Sequence, residues 1–322
     1  MIYKMKCNEL PLVSVIIPTY CRPEYFELAL KSVLNQTYKN IDIFITDNSP
    51  DTRTRDLMQS YLKKYPNIKY EHHPEYDAKG NWNRAFAYDN PKAEYVNWLM
   101  DDDIFMPNKI EYMVDKFLKI KGLSLVTSYR QRIDEMGNIR PDLHETKPIA
   151  QSDTIFLGKT IGKTILATQC NFVGEPTTVL IKKSFLKNGT LGGCTPDDVH
   201  FVSDFPTWLY CLKNSNMYYV AEPLSQFRVH AGQEQNGIDC MGNGVCKWAM
   251  ETLYEFDHRN YFDSTEDLLN ASKNWFEQLE YYVNRLEKLK GFNSAIAEDV
   301  IKYAEKMIEY RETFYKAKRG QF

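Results

Sequence analysis

The sequence predicts an α/β fold, a mostly parallel sheet flanked by helices, with a helical extension at its C-terminal end. Three observations carry this. From Leu12 to Lys119, short β-branched runs alternate with segments of helical periodicity, the pattern of a parallel sheet covered on both faces. Prolines, Asp47 and three consecutive aspartates fall at the carboxyl ends of those runs, where open parallel sheets bind ligands. Beyond about Gly244 glycine and proline become rare, and apolar residues recur at three-to-four spacing.

Element by element, LVSVII (Leu12 to Ile17), bounded by prolines, reads as a buried strand, and Glu24 to Leu34 carries helical spacing through Phe26, Ala29, Leu30 and Val33. Ile41 to Thr46 is a second strand, Thr54 to Tyr65 a second helix and Ile68 to His72 a third strand. Asn81 to Tyr88 is helical, and Tyr95 to Met100 is a fourth strand that delivers Asp101, Asp102 and Asp103. A helix from Asn108 to Lys119 precedes a strand from Leu123 to Arg130, and the turn DEMGN after it reads as a hairpin. The middle is less regular, punctuated by Gly158, Gly162, Gly174 and GTLGG, with a strand at Thr177 to Ile181 and a helix at Phe205 to Leu212. No internal repeat or low-complexity tract interrupts this order.

With 322 residues there is room for one large domain, or one domain and an appendage, around a sizeable core. A net charge of -3 gives no general electrostatic case for nucleic acid. The 22 Tyr and 17 Phe suit sugar-stacking surfaces, but they suit a core at least as well. Seven scattered cysteines, an odd number with no C-x-x-C pair, point to reduced thiols and a cytoplasmic protein. The first apolar run is broken by Pro11 and Pro18 without a signal-peptide pattern, and no stretch is apolar enough to span a bilayer. Peripheral membrane contact stays open.

Four motifs carry chemistry. In IIPTYCRPEY a strand ends at Pro18, Thr19 and Tyr20, whose amides, hydroxyl and ring suit a base and ribose, while Arg22 suits a phosphate; an ordinary strand-to-helix turn is the plain alternative. No G-x-G-x-x-G follows this strand, which counts against a dinucleotide oxidoreductase. ITDNSPD sets Asp47 just past a strand, where its carboxylate can accept the N–H of uracil or simply shape a turn. AKGNWNRA offers Lys79, Asn81, Asn83 and Arg84 near a helix start, for phosphate and ribose or as a capped terminus. Like charges at about 4 Å in an effective dielectric near 20 repel by about 4 kcal/mol, so the triple aspartate needs water or a cation. A hard divalent ion, Mg²⁺ or Mn²⁺, matches an open strand-end cluster of this kind.

In this order and spacing, VSVIIPTYCR, ITDNSPD, GNWNRA and DDDIFMPNKIE resemble the nucleotide-sugar-binding half of family 2 glycosyltransferases of the GT-A (Rossmann-like) fold. The likeness covers Leu12 to Phe117 and continues through NFVGEPTTVLIKK, FVSDFPTWLYCL and EPLSQFRVHAGQEQ. It implies a GT-A catalytic domain over 1–243, with 12–117 for the nucleotide sugar and 118–243 for acceptor and catalysis, and a helical region over 244–322. A D-x-D-D register makes Asp102 the metal ligand; a plain D-x-D register gives Asp101 to the ribose and Asp103 to the metal. The resemblance further implies Asp204 as general base, with Asp197 and Asp198 as rivals, His230 at the metal or diphosphate, and Glu175 and Asp198 on the acceptor side. The implied reaction is inverting transfer of a sugar from a UDP-sugar to a hydroxyl of a glycan, glycopeptide or lipid-linked acceptor, with Mn²⁺ or Mg²⁺. A sugar nucleotidyltransferase, or a non-catalytic protein that keeps the fold as a binding or assembly scaffold, are the alternatives.

The C-terminal helices carry apolar faces through Trp248, Leu253, Phe256, Trp275 and Tyr282 that must cover something. Packing back onto the catalytic domain, self-association into a homo-oligomer, and a basic membrane-facing end at Lys316, Lys318 and Arg319 are the three readings.

Overall fold

The computed structural model describes residues 10–186, 202–233, 237–289 and 294–318. These divide into two compact units: the first within Met1–Phe156, Phe172–Leu191 and Ser215–Val229, the second within Leu157–Asn171, Gly192–Asn214 and His230–Phe322.

The first unit opens with the expected alternation: β1 (Leu12–Thr19), α1 (Pro23–Leu34), β2 (Ile41–Asp47), α2 (Arg53–Lys64), β3 (Ile68–His72), α3 (Ala78–Phe86) and β4 (Ala93–Trp98). β1 pairs in parallel with β2 on one side and β4 on the other, with Val13 opposite Ile41 and Ile16 opposite Trp98. The chain therefore builds outward through β2 and β3, then returns across β1 to lay down β4, which makes the β1–β4 boundary the topological switch point. Pro18 is tolerated in this central strand because the ladder to β4 ends at Ile16, two residues earlier.

β5 (Ile104–Phe105), α4 (Lys109–Lys119) and β6 (Leu123–Ile133) follow, and β7 (Thr154–Leu157), β8 (Leu180–Lys182) and β9 (Asn216–Arg228) complete the strands among the described residues. The sheet runs β3-β2-β1-β4-β8-β6-β9-β5, with β7 on β9. β6 and β9 are parallel, whereas β8 is antiparallel to both β4 and β6, and β5 to β9. Val15, Ile17, Phe26, Leu30, Ile43 and Ile45 lie within the core under β1 and β2. A buried side chain of this size contributes about 1.5–3 kcal/mol, so α1 is held by its apolar face rather than by propensity.

Several elements differ from expectation. β4 ends at Trp98, leaving the aspartates in a turn closed by the Asp103 amide on the Met100 carbonyl at 3.1 Å. Thr177 and Thr178 belong to a 3-10 turn, Pro176–Thr178, and the strand begins only at Leu180. DEMGN is a tight turn in which Asp134 Oδ1 accepts the amides of Met136 and Asn138, but its return arm is a single bridge, Ile133 to Ile139, and not a hairpin strand.

In the second unit, α5 (Gly158–Thr168) forms through two glycines that look like punctuation in the sequence. A Cβ on Gly162 would lie 2.0 Å from Tyr261 Cε1, so close approach of that ring explains the residue. α6 (Asp204–Leu212) is joined by α7 (Ile238–His258), α8 (Thr265–Leu289) and α9 (Ser294–Lys318). Phe205 of α6 stacks on Trp248 of α7 at 3.6 Å between centroids, and Trp275 of α8 donates its Nε1 proton to the Val245 carbonyl at 2.8 Å. Part of the apolar faces of the C-terminal helices thus packs on one another and on α6, while Tyr281, Val283, Ile301 and Ile308 are exposed. Among the described residues no helix is long and apolar enough to cross a membrane. GTLGG, Asp197 and Asp198 lie outside the described residues.

Candidate active site

At the switch point the end of β1 meets the turn after β4. Asp101 Oδ2 accepts the Thr19 hydroxyl at 2.9 Å and the Tyr20 amide at 3.3 Å. Arg22 Nη1 donates to Asp101 Oδ1 at 3.3 Å and stands 3.5 Å from Asp102 Oδ2. Asp103 Oδ2 accepts the Thr177 hydroxyl at 2.6 Å, and its Oδ1 accepts the Arg228 amide at 2.9 Å. The Arg228 guanidinium donates to the Asp102 carbonyl at 2.8 Å and to the Asp134 and Glu135 carbonyls, and it lies over the Tyr25 ring.

The triad is therefore not open: Asp101, Asp102 and Asp103 are 6%, 6% and 1% exposed. Burial, followed by the neighbouring Asp102 charge, pushes Asp101 up to about 7 against the pull of Arg22, Thr19 and the Tyr20 amide. The same two causes raise Asp103 well above the usual carboxylate range, opposed by Thr177 and the Arg228 amide. Three desolvated carboxylates offer only hard oxygen donors, a set that fits Mg²⁺ or Mn²⁺ completed by water and phosphate. Among the described residues no three His, Cys, Asp or Glu side chains form an all-protein metal cage, so donor oxygens would have to supply much of the shell.

Asp47 closes β2 and is fully buried. Its Oδ1 accepts the Ser49 amide at 2.8 Å and its Oδ2 the Tyr70 hydroxyl at 2.7 Å. The Tyr70 hydroxyl is in turn raised, by burial first and then by the Asp47 bond. Asp47 joins the β1 end indirectly, since the Cys21 amide donates to Ser49 Oγ at 2.8 Å. Asn81, buried on α3, donates to the Thr19 carbonyl at 3.3 Å and accepts the Thr46 hydroxyl at 2.7 Å, pinning α3 to β1 and β2. Lys79 and Asn83 are exposed on the same helix. Arg84 grips Glu71 through Nε and Nη2 at 2.6 and 2.8 Å, which lowers Glu71 to about 2. Glu175 pairs with the buried Arg130 at 2.6 Å.

The remaining predicted site residues belong to the second unit. Asp204 occupies the first turn of α6, half-buried, and its Oδ2 accepts Asn171 Nδ2 at 2.6 Å. His230 is 9% exposed, and its Nδ1 accepts the Gly232 amide at 3.2 Å. An accepting Nδ1 places the proton of a neutral ring on Nε2, the tautomer of a hydrogen-bond donor.

The family model described as Glycosyl transferase family 2 matches residues 14–187, more than half of the chain. The chain belongs to glycosyl transferase family 2. It is 29% identical over 235 residues to an uncharacterized glycosyltransferase of Rickettsia typhi, covering 70% of this chain and 66% of that one. The chain thus spans just under two thirds of that relative's length. A shorter match, 31% over 107 residues, is to the GalNAc(5)-diNAcBac-PP-undecaprenol beta-1,3-glucosyltransferase of Campylobacter jejuni, 33% of this chain and 35% of that one. In fold it is similar to S. aureus TarS 1-349, solved in complex with UDP-GlcNAc, with a TM-score of 0.60 at 14% identity over 93% of this chain and 81% of that one. The mixed α/β sheet is accordingly the GT-A fold expected from the motifs.

In this family 2 chain, the sequence motifs single out neither Thr177 nor Arg228 as a support of the triad. Thr177 hides inside what looks like a β-branched strand start. Arg228 acts through its backbone amide as much as through its side chain, and no residue type signals that. Tyr70 carried no motif of its own.

Proposed function

We propose that the chain transfers a sugar from a UDP-sugar to a hydroxyl of a glycan, glycopeptide or lipid-linked acceptor, with inversion in one in-line displacement and with Mn²⁺ or Mg²⁺. The observation that carries this reading is the desolvated triad at the switch point, beside Thr19, Tyr20 and Arg22, in a chain of glycosyl transferase family 2.

Asp47, an acceptor fixed by Tyr70 and the Ser49 amide, holds a base that presents an N–H, as uracil does. Thr19 and Tyr20 flank the ribose, and Asp101 takes its hydroxyls. Asp102 is the metal ligand, the D-x-D-D register, because its Oδ2 already faces a cation, Arg22 Nη1 at 3.5 Å. A bound divalent cation supplies charge neutralisation for the departing diphosphate. Asp204 takes the proton of the acceptor hydroxyl as it attacks, and Glu175 orients the acceptor. His230, in its Nε2–H form, donates to phosphate. Lys79 and Asn83, exposed on α3, contribute to the donor's phosphate and ribose from the rim.

Thermal stabilisation by a panel of nucleotide sugars with Mn²⁺, followed by donor consumption, tests the reading. A ligand at 100 times its Kd stabilises by about 2.7 kcal/mol. UDP-GlcNAc is the first donor to try, as the ligand solved with TarS, and an undecaprenyl-diphosphate-linked glycan the first acceptor, after the Campylobacter relative. Stabilisation and turnover by a UDP-sugar that depend on the cation support the reading. If no nucleotide sugar binds or is consumed with either metal, it fails. A shift with UDP alone and with no UDP-sugar turns it toward a scaffold.

A further inference from the structure

We propose that Arg22 is a resident counter-cation: its guanidinium stands in for the divalent ion across Asp101 and Asp102, and is released toward the donor's diphosphate when that ion binds. The inference rests on the reading of Asp102 as the metal ligand. One nitrogen, Nη1, faces both carboxylates, at 3.3 Å from Asp101 Oδ1 and 3.5 Å from Asp102 Oδ2. Both distances exceed the about 2.7–2.9 Å of the tightest charge-assisted pairs, and one guanidinium offsets the charge of both acids. The backbone beneath is fixed. Cys21, one residue before, is held at φ +55° with its amide on Ser49 Oγ at 2.8 Å, and the Arg22 carbonyl accepts the Phe26 amide at 2.9 Å. The Arg22 side chain itself is 27% exposed, against 9% and 8% for its two partners. A long cationic side chain on a fixed backbone thus reaches from a partly exposed position into a desolvated acidic pocket, where a divalent ion would compete with it for the same two carboxylates.

Two consequences follow from charge alone. Without donor, a divalent ion must displace Arg22, so the arginine opposes metal binding. With donor present, the displaced guanidinium gains the diphosphate as a partner, so ion and nucleotide bind cooperatively, and by linkage each strengthens the other equally. Arg22 therefore acts with opposite sign in the two measurements, which a merely structural residue would not do.

Mn²⁺ binding followed by electron paramagnetic resonance, with and without UDP, on wild type, Arg22→Gln and Arg22→Lys tests this. Arg22→Gln is expected to bind Mn²⁺ alone about tenfold tighter than wild type, to bind UDP in the presence of Mn²⁺ about tenfold more weakly, and to lose most of the coupling between them. Arg22→Lys, which keeps the charge, returns each change toward wild type. If Arg22→Gln does not fold, the comparison of Asp101→Asn with the Asp101→Asn/Arg22→Gln double variant reads the same difference. Mn²⁺ binding to wild type and variant with equal affinity, or more weakly to the variant, overturns the proposal while leaving the metal site standing. Mn²⁺ binding to neither removes the metal reading, and this proposal with it.

Discussion

Thr177 holds both ends of the acidic turn: its hydroxyl donates to Asp103 Oδ2 at 2.6 Å and accepts the Met100 amide at 3.1 Å. Thr177 is itself placed from the sheet, because Asn97 of β4 donates Nδ2 to the carbonyls of Pro176 at 2.8 Å and Thr177 at 3.3 Å. The strand that delivers the aspartates thus also positions the residue that shapes them. Replacing Thr177 by Val keeps the volume but takes one of two donors from the buried Asp103 carboxyl and removes the acceptor of the half-buried Met100 amide. Urea unfolding is expected to show a loss of about 1–3 kcal/mol, and Mn²⁺ affinity to fall with it, whereas Thr177→Ser restores both. An unchanged unfolding midpoint in Thr177→Val would show that the hydroxyl contributes nothing.

Asp102 and Asp103 differ in the groups that face them. Asp103 is anchored at both oxygens, while Asp102 is approached through Arg22 at 3.5 Å and has its carbonyl fixed by Arg228 at 2.8 Å. Asp102→Asn is therefore expected to weaken Mn²⁺ binding at least about tenfold with little change in melting temperature. Asp103→Asn is expected to disturb the Thr177 and Arg228 contacts and to lower the melting temperature as well. Titrating both variants with Mn²⁺ checks the register, and a larger loss of affinity in Asp103→Asn with an unaltered fold would reverse it.

Asp101 makes the stability of the cation-free protein depend on pH. Its carboxyl is raised to about 7 in the folded chain, mainly by burial. Between the ordinary carboxylate value near 4 and that value, the folded state binds more protons than the unfolded one, so this residue's contribution falls as pH rises through the window. Asp101→Asn is accordingly expected to be more stable than wild type at pH 8 and to lose that advantage toward pH 4, in thermal melts with chelator present. Equal melting temperatures at pH 8 would show that Arg22 already offsets the burial.

How much of this was legible follows from the kind of signal each element carries. β1 to β4 and their helices announce themselves by local periodicity, and the positions of Thr19 and Asp47 at strand ends follow from it, as does the place of Asp101 shortly after β4. β9 does not: its pairing with β6 shifts register around Ser128 to Arg130, and Pro223 interrupts it, so no clean alternation survives. α5 is hidden by Gly158 and Gly162, and the place of Gly162 is set by the Tyr261 ring, about a hundred residues later. The support of Asp103 by a threonine hydroxyl and an arginine amide is tertiary, and single-residue patterns do not encode it.

Gly162 gives that last point a test. Its absent Cβ makes room for Tyr261, whose hydroxyl in turn donates to the Leu209 carbonyl of α6. Gly162→Ala gains about 0.5–1 kcal/mol of helix preference in isolation, but the added methyl would overlap an aromatic ring. Overpacking of this kind costs about 1–3 kcal/mol or more, so the net effect in chemical denaturation is expected to be destabilising. Pairing it with Tyr261→Leu should recover part of the loss. A Gly162→Ala variant more stable than wild type would mean that α5 and Tyr261 do not meet as described.

Asp204 is the residue on which catalysis, as distinct from binding, is staked. It stands in the first turn of α6, where a carboxylate is favoured by the helix N-terminus, and Asn171 Nδ2 orients Oδ2 from 2.6 Å. A general base must be ionised and aimed before the hydroxyl attacks, and removing one typically costs about 10²–10⁴ in rate. Asp204→Asn keeps the size of the side chain, so its cost in stability is expected to stay within about 1 kcal/mol, the scale of a helix-terminal contact. UDP affinity in the presence of Mn²⁺ should be unchanged and kcat should fall by at least about a hundredfold. Asn171→Ala, which leaves the carboxylate but frees its orientation, should lie between the two, with kcat lowered more than KM. Turnover undiminished in Asp204→Asn would remove the base from α6.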